Sequence, residues 1–419
     1  MSDVSDSTSG TLPSRVDLAI RGRLVTCIPS EGNALGIIED GLLAIHKGRI
    51  AYVGPARDVT ADQTIEARGC VLPGLIDPHT HLVFDGDRSA ELAARFAGID
   101  YRTVASEGGG IMSTVRSTRA ASRDVLVEKA IARATVMRSH GVTTIEAKSG
   151  YGLTTQDELR MLDCAKAVEA EGITRIEATF LGAHAVPAGR SPEDYLQDVI
   201  HEQLPAVVEQ GAASACDVYC DEGAFSLSQA RQVLEAARKH GLRRRAHMGQ
   251  FVDLGGVQMA AELGATSVDH LEQLSDEGLA AMAKSGVVGV LLPGAWRTLR
   301  QTPPDAARFR AAGVTMAIGS DFNPGTSQTP DLLLCAALAV RDAGLTMEEA
   351  ILGVTVHAAQ AIGLQDKRGT LAVGAPADIA IFSATDPRAL VYQLGGTAAE
   401  KVLIGGEVRV SDPISPAIW

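Results

Sequence analysis

Two histidines two positions apart carry the sharpest chemical signal in the chain. His79 and His81 end the run Pro73-Gly-Leu-Ile-Asp-Pro-His-Thr-His-Leu82, which begins as a short apolar strand. Alternate residues of a strand point to the same side, so both imidazoles can face one cavity. Imidazole is a metal ligand well suited to zinc and iron. A His-x-His pair also occurs by chance, so further ligands must support a metal site.

Further polar side chains stand where other predicted strands end. They are His184, His247, His270 and Asp321. A single residue in such a place can simply hydrogen-bond the neighbouring loops. The shared placement of all of them favours a metal site that keeps an open position for chemistry.

A catalytic metal site of this kind activates a water molecule at neutral pH. A carboxylate beside it can take the water proton and pass it to a leaving nitrogen, and Asp321 suits both ligation and that transfer. A histidine outside the ligand set can stabilise an oxyanion, and His270 is our candidate. His140 and His240 precede glycines at predicted helix ends, where a structural role is the simpler interpretation.

The elements that must position these residues alternate between short apolar strands and amphipathic helices from about Pro73 to Gly363. Examples are the strands Gly141–Ala147, Gly286–Leu292 and Thr315–Ser320 and the helices Asp157–Glu171 and Leu227–His240. Such alternation predicts a parallel sheet, and this length suits a (β/α)8 TIM-type barrel of the α/β class. A doubly wound open sheet is the alternative. The first strand–helix junction lacks a G-x-G-x-x-G run, which argues against a nucleotide-binding version.

The two ends of the chain have a different character and are rich in short strands separated by turns. Leu18–Thr26, Gly48–Gly54, Ala377–Phe382 and Lys401–Val410 are examples. We therefore expect a second, small β-sandwich domain built from both chain ends. The predicted division is 1–72 for its N-terminal part (1–12 disordered), 73–365 for the barrel and 366–419 for its C-terminal part.

The composition excludes several classes of partner. The net charge of −13 disfavours nucleic acid and anionic lipid, and an anionic substrate would need a local Arg or Lys. The start of the chain does not read as a signal peptide, and no apolar run of about 18 residues predicts a membrane helix. The six cysteines are scattered, which favours reduced thiols in a cytoplasmic enzyme.

Beyond these patterns, several segments resemble a known family. The Pro73–His81 run, the strand-end histidines, the late Asp and Gly369–Phe382 are similar to the metal-dependent amidohydrolase superfamily. Within it the chain resembles the imidazolonepropionase family over nearly its whole length. The segments that carry this resemblance are His79–Arg88, Glu107–Arg116, Glu146–Leu153, Gly182–Pro187, Asp269–Leu271 and Ser320–Ser327.

The resemblance implies an activity and roles for individual residues. It implies one divalent metal per chain, Zn or Fe, held by His79, His81, His247 and Asp321. It implies substrate contacts from Arg88, Tyr151 and His184, with Asn323, Gly325 and Thr326 lining the other side of the pocket. The implied reaction is hydrolysis of 4-imidazolone-5-propanoate to N-formimidoyl-L-glutamate, and a homodimer is common among such enzymes.

For two of these residues, the chemistry of the side chain also suggests substrate binding, independently of the resemblance. Arg88 lies seven residues past His81, within a loop's reach of the metal, and arginine binds carboxylates through two nitrogens. Tyr151 stands between Gly150 and Gly152, where a tight turn can present its hydroxyl. A surface arginine and a packing tyrosine are the alternatives.

One position departs from the family pattern. An acidic residue usually follows the fifth-strand histidine after two or three positions, but here the run is His247-Met-Gly-Gln250. Gln250 can hydrogen-bond a ring amide but cannot act as a base. The substrate could therefore be another lactam or a hydantoin with an acidic side chain. An aromatic-ring deaminase and a non-catalytic, metal-binding barrel are the remaining alternatives.

Overall fold

The computed structural model describes residues 12–98, 109–364 and 366–409. The predicted disorder of residues 1–12 falls almost wholly outside these ranges. The described chain opens with four strands, β1 Val16–Val25, β2 Ile37–His46, β3 Arg49–Pro55 and β4 Ala61–Pro73.

Eight parallel strands follow and form one sheet in simple chain order. They are β5 Leu75–Thr80, β6 Val142–Lys148, β7 Arg175–Ala183, β8 Ala215–Cys220, β9 Arg243–Met248, β10 Ser267–His270, β11 Val288–Leu291 and β12 Met316–Ile318. Nearly all their residues are buried, as expected for parallel strands covered on both faces.

The sheet closes on itself just beyond β12. The Asp321 N–H donates to the His79 carbonyl at 3.0 Å and the His81 N–H to the Phe322 carbonyl at 2.9 Å. Thr80 and Phe322 form a parallel bridge. The predicted eight-stranded barrel is thus confirmed, and the open-sheet alternative is wrong because these bonds join the first strand to the last.

Helices connect the strands and cover the barrel. They are α1 Ser89–Phe96, α2 Ile111–Ala120, α3 Arg123–Ser139, α4 Thr155–Ala170, α5 Pro192–Asp198, α6 Leu204–Gln210, α7 Leu227–Lys239, α8 Gly256–Glu262, α9 Asp276–Ser285, α10 Pro293–Leu299, α11 Ala306–Ala312, α12 Leu332–Leu338, α13 Met347–Gly353 and α14 Val356–Ala361. Short π-helical stretches follow α5 (Val199–Gln203) and α12 (Ala339–Ala343). Over the described residues, none of these helices is long and apolar enough to cross a membrane.

The predicted helices have the ends that their capping residues dictate. The Thr154 side chain accepts the Asp157 N–H at the start of α4, and Ser226 forms a capping box with Gln229 at the start of α7. His140 and His240 are the C-cap residues of α3 and α7, as predicted from the glycines that follow them.

Both chain ends meet in one seven-stranded mixed sheet. Its C-terminal strands are β13 Ile379–Ile381, β14 Lys401–Ile404 and β15 Glu407–Arg409, with the short helix α15 Ala389–Tyr392 between the first two. The strand order is β15-β14-β13-β4-β1-β2-β3, and β1 pairs with β4 in parallel. Leu18, Ile45, Ile379 and Leu403 share one buried cluster, so the two ends form a common core. The second, small β domain is confirmed.

Candidate functional site

Three histidines from two strands converge at the carboxyl-terminal mouth of the barrel. His79 lies on β5, His81 directly follows it and His247 lies on β9. One nitrogen of each lies within 4.8 Å of the others. Burial lowers the pKa of all three imidazoles, so they are held in the neutral form that binds metals.

Two of these rings are oriented by carboxylates on the barrel interior. Nδ1 of His79 lies 2.6 Å from Asp269 Oδ2, and Nδ1 of His247 lies 3.0 Å from Asp217 Oδ1. These bonds fix the tautomers and leave each Nε2 facing the centre. Both Nε2 atoms are buried and have no hydrogen-bond partner among the described residues.

A lysine beneath the histidines joins the two carboxylates. Lys148 Nζ lies 2.8 Å from Asp217 and 3.6 Å from Asp269, and 3.0 Å from Glu146. Burial opposes its charge, but the carboxylates raise the pKa of Lys148 above its ordinary value. Burial raises the pKa of both carboxyls, but His247 and Lys148 outweigh it at Asp217 and hold that pKa low. At Asp269 burial prevails and raises the pKa to about 7.

Asp321 completes the group from the loop after β12. Its Oδ1 lies 3.5 Å from His79 Nε2 and 3.6 Å from His81 Nε2. The backbone of Asp321 has a positive φ of 50°, a strained conformation for a residue other than glycine. Burial raises the pKa of this carboxyl to about 6, partly offset by His270. Unpartnered imidazole nitrogens with an adjacent carboxylate fit the donor set of a divalent metal such as zinc or iron.

A cavity of about 720 Å³ opens above this group. It brings together nearly all the residues predicted from the sequence, with His79 lying below its floor. The predicted residues that line it are His81, Arg88, Tyr151, His184, His247, Gln250, His270, Asp321, Asn323, Gly325 and Thr326.

The two histidines outside the ligand group lie on either side of His247. His184 stacks on His81 with ring centroids 5.0 Å apart, and its Nδ1 lies 3.0 Å from the Gly150 carbonyl oxygen. Burial lowers the pKa of His184 to about 3. His270 behaves differently, because Glu272, followed by Asp321 and Asp269, outweighs burial and raises the pKa of His270 above its ordinary value.

Arg88 reaches the cavity from the loop before α1 and is held in place there. Its Nε donates to Glu91 at 2.9 Å, and Glu91 also accepts the Gly110 N–H at 3.0 Å. The guanidinium packs so closely on Gly325 that a Cβ at that position would clash with Nη1. Glycine at position 325 therefore makes room for the arginine.

The tight turn that presents Tyr151 is tied down by a buried carboxylate. Glu158 accepts the backbone N–H groups of Gly150, Gly152 and Leu153 at 2.7 to 2.9 Å. Gly150 has a φ of 106°, which only glycine adopts readily. The Tyr151 ring lies against His81 and His184, with centroids 5.5 and 5.4 Å apart.

Gln250 and Asn323 are engaged by protein groups around the cavity. The Tyr219 hydroxyl donates to Gln250 Oε1 at 2.9 Å, and Asp221 accepts the Gln250 N–H at 2.8 Å. Asn323 Oδ1 accepts the backbone N–H groups of Gly325 and Thr326, both at 2.7 Å. The Asn323 side chain thus shapes the loop. In Gln250 the bond to Tyr219 involves the side-chain oxygen, and the amide nitrogen is the other end of the same group.

Sequence reasoning missed the layer beneath the site. Asp217, Lys148 and Glu146 are charged residues inside apolar strands, and Glu158 is a buried acid in the first turn of a helix. Charged side chains are almost never fully buried without partners. Charges in an otherwise buried strand were the available signal. Apart from the Glu146–Lys148 pair on one strand, their partners come from other strands and could not be named.

Comparison with known proteins adds sequence and fold relationships. Residues 70–409 match the amidohydrolase family. The chain is 44% identical to an imidazolonepropionase of Stenotrophomonas maltophilia over 400 residues, which covers 94% of this chain and 97% of the relative. It is 47% identical to an imidazolonepropionase of Caulobacter vibrioides over 384 residues, covering 90% and 95%.

Solved structures with low sequence identity share the fold. An adenosine deaminase from Xanthomonas campestris with bound zinc superposes with a TM-score of 0.72 at 19% identity, covering 94% of this chain and 93% of that one. An atrazine chlorohydrolase from Arthrobacter aurescens, complexed with zinc, gives 0.68 at 19% identity and covers 93% and 94%.

Proposed function

The chain belongs to the amidohydrolase family, and within it to the imidazolonepropionases. We propose that it hydrolyses the cyclic amide of 4-imidazolone-5-propanoate to N-formimidoyl-L-glutamate in histidine degradation. The observation that carries this proposal is the grouping of three neutral imidazoles, with one nitrogen of each within 4.8 Å of the others, beneath and around the base of a cavity that His81, His247 and Arg88 line. The family relationship at 44 to 47% identity supports the substrate.

We assign one divalent metal, Zn or Fe, to His79, His81, His247 and Asp321. The unpartnered Nε2 atoms of His79 and His247 support this ligand set. When bound, the metal would supply the Lewis acidity that activates water and polarises the amide carbonyl.

The remaining groups of the cavity serve binding and proton transfer. Arg88 pairs with the propionate group of the substrate, and Tyr151 and His184 contact the ring. Asp321 takes the proton from water and delivers it to the departing ring nitrogen. His270, which lines the cavity, donates to the oxygen on which negative charge develops.

A second substrate is favoured by one specific residue. Gln250 replaces the usual acid, and its carbonyl oxygen is already bonded to Tyr219. Its amide nitrogen can therefore donate to a ring carbonyl, which a hydantoin with a propionate side chain would offer in addition to the amide carbonyl.

Paired incubations test the proposal. Metal-loaded protein is mixed with imidazolone propionate and, separately, with hydantoin propionate, and the open-chain products and ammonia are measured. We expect ring opening of imidazolone propionate without ammonia release. Preferred opening of the hydantoin would reassign the substrate, and stoichiometric ammonia would indicate a deaminase.

We further propose that the chain works in the cytoplasm. All six cysteines are buried and unpaired, and burial raises the pKa of Cys164, for instance, to about 11, so the thiols are protonated and poorly reactive. Association into a homodimer is also proposed, and sedimentation velocity tests it.

A further inference from the structure

The turn that follows β10 has an unusual backbone. His270 and Leu271 have positive φ angles of 82° and 71°, although neither is glycine. Such conformations are unfavourable for residues with a Cβ and persist only where the surroundings impose them. The result is a reversal directly after His270, which brings the side chain of Glu272 back beside the His270 ring.

Hydrogen bonds to the neighbouring strand hold this turn. The Leu271 N–H donates to the Met248 carbonyl at 3.2 Å, and the Gln273 N–H donates to the Gly249 carbonyl at 2.8 Å. The turn is therefore anchored on both sides of Glu272 to the loop after His247. The turn is thus part of the barrel mouth whose residues line the cavity.

The Glu272 side chain is buried in an unusual way. It is fully shielded from solvent, and both carboxylate oxygens lack a hydrogen-bond partner among the described residues. The charged group beside it is His270, whose Nδ1 lies 3.6 Å from Oε1 and is itself buried and without a hydrogen bond. Burial of a carboxylate without donors is unfavourable. The Nδ1 of His270, 3.6 Å away, is the donor beside this carboxylate.

The same arrangement already occurs twice in this site. His79 and His247 each present Nδ1 to a buried carboxylate and direct Nε2 to the centre. His270 lines the cavity, with its ring centroid 5.6 Å from that of His247. A carboxylate behind an imidazole fixes its tautomer and orientation, as in hydrolases that use a histidine in proton transfer.

We propose that Glu272 is a positioning residue for His270: its carboxylate accepts the Nδ1–H of the ring protonated at both nitrogens and so directs the Nε2–H to the substrate. The proposal rests on the function proposed for His270 above. It also gives a role to the buried carboxylate of Glu272, in a site that has Gln250 where the resemblance leads us to expect an acidic residue. Loss of Glu272 is expected to affect turnover more than substrate binding, because Arg88 and Tyr151 remain in place.

Kinetics of Glu272→Gln on imidazolone propionate test the proposal first. The amide keeps the shape of the side chain but carries no negative charge, so it no longer supports the doubly protonated His270 ring that donates from Nε2. We expect kcat to fall about 10- to 100-fold, the usual effect of losing such an outer partner, with KM and metal content unchanged. Glu277→Gln, a change at an exposed acid on α9, is the matched control and should retain full activity.

A second variant separates positioning from general damage. In His270→Ala the partner is absent, so adding Glu272→Gln should lower kcat no further. A further loss in the double variant would mean that Glu272 acts through other groups and would overturn the proposal.

A spectroscopic measurement needs no substrate and so keeps this inference distinct from the proposed function. In zinc-loaded protein labelled with 15N-histidine, the His270 signals are identified by their loss in His270→Ala. At neutral pH we expect both ring nitrogens of His270 to carry protons in the wild type and one of them to lose its proton in Glu272→Gln. Unchanged His270 signals, or a Glu272→Gln kcat equal to that of Glu277→Gln, would overturn the proposal. A wild type that fails to open imidazolone propionate would refute the proposed function alone.

Discussion

At the scale of single residues, we propose that Arg88 selects substrates that carry a carboxylate. Glu91 holds its Nε, and the absence of a side chain at Gly325 lets the guanidinium lie against the loop after β12. A charge-assisted hydrogen bond contributes roughly 1.5–3 kcal/mol. We expect Arg88→Met to lower kcat/KM for imidazolone propionate at least about tenfold.

The control for this prediction is a substrate analogue without the carboxylate. Its kcat/KM should be nearly the same in Arg88→Met and in the wild type. Arg123→Met removes an arginine from the surface pair with Asp163 and should leave both substrates unaffected. Equal losses on both substrates in Arg88→Met would make Arg88 a structural residue.

Gln250 provides a second prediction at this scale. Because proton transfer is assigned to Asp321, Gln250→Glu should leave ring opening available and mainly change the preference between imidazolone and hydantoin rings. His270→Ala should instead reduce kcat about 10²–10³-fold, the usual loss for one oxyanion donor, while metal content stays constant. Steady-state kinetics and elemental analysis measure both effects. Near-normal kcat in His270→Ala together with no activity in Gln250→Ala would reverse the two assignments.

Individual residues were predictable where strand ends alone determine their position. His79, His81, His247 and Asp321 all lie at the ends of parallel barrel strands, and these ends meet at one mouth. Lys148 and Glu272 were not recognised. The partners of Lys148 lie on three different strands, and the place of Glu272 depends on a backbone reversal that no local residue preference predicts.

At the scale of elements, the floor of the site is built by β6, β8 and β10. Lys148, Asp217 and Asp269 come from these three strands, and together they set the orientation of His79 and His247. We expect Asp217→Asn to lower metal affinity about 10- to 100-fold, since the outer partner of a ligating histidine has an effect of this size.

The measurement is competition for the metal against a chelator of known affinity. Asp198→Asn, a change at the C-terminal end of α5, is the control and should bind metal like the wild type. Undiminished affinity in Asp217→Asn would show that barrel packing alone orients His247.

Elements were predictable in kind but less so in extent. The predicted strands Gly286–Leu292 and Thr315–Ser320 are Val288–Leu291 and Met316–Ile318 in the structure. Gly286 has a φ of 74° and ends α9 instead of starting a strand. A run of apolar residues does not reveal where parallel hydrogen bonding begins, because that depends on the neighbouring strand.

At the scale of the whole molecule, the buried histidines couple the stability of the metal-free protein to pH. Burial lowers the pKa of His184 to about 3 and depresses those of His79 and His81. In the unfolded chain these groups titrate at about pH 6.5. On acidification the unfolded state therefore binds more protons than the folded state. The stability that these neutral histidines allow above about pH 6.5 is lost as the pH falls below that value.

Urea unfolding of the metal-free protein at about pH 7.5 and about pH 5.5 measures this loss. We expect lower stability at the acidic pH and a smaller difference in His184→Gln, which removes one of the contributing groups. His201→Gln replaces an exposed histidine and should behave like the wild type. A pH dependence unchanged in His184→Gln would contradict the assignment.

The overall architecture was predictable from the change in strand and helix pattern along the chain. The order of the terminal sheet was not, because β1 pairs in parallel with β4 and β13 pairs with β4 from the other end of the chain. These pairings join segments that are distant in sequence, so local patterns carry no information about them.

The proposed function depends on hydrolysis at the histidine and aspartate centre. The most direct test is to strip the protein of metal and titrate Zn or Fe back while following the opening of imidazolone propionate, with His79→Ala in parallel. We predict that the stripped wild type is inactive, that activity rises in proportion to added metal and levels off at one equivalent per chain, and that His79→Ala neither retains metal nor recovers. Full ring opening by the stripped protein, or full metal occupancy and activity in His79→Ala, would contradict it.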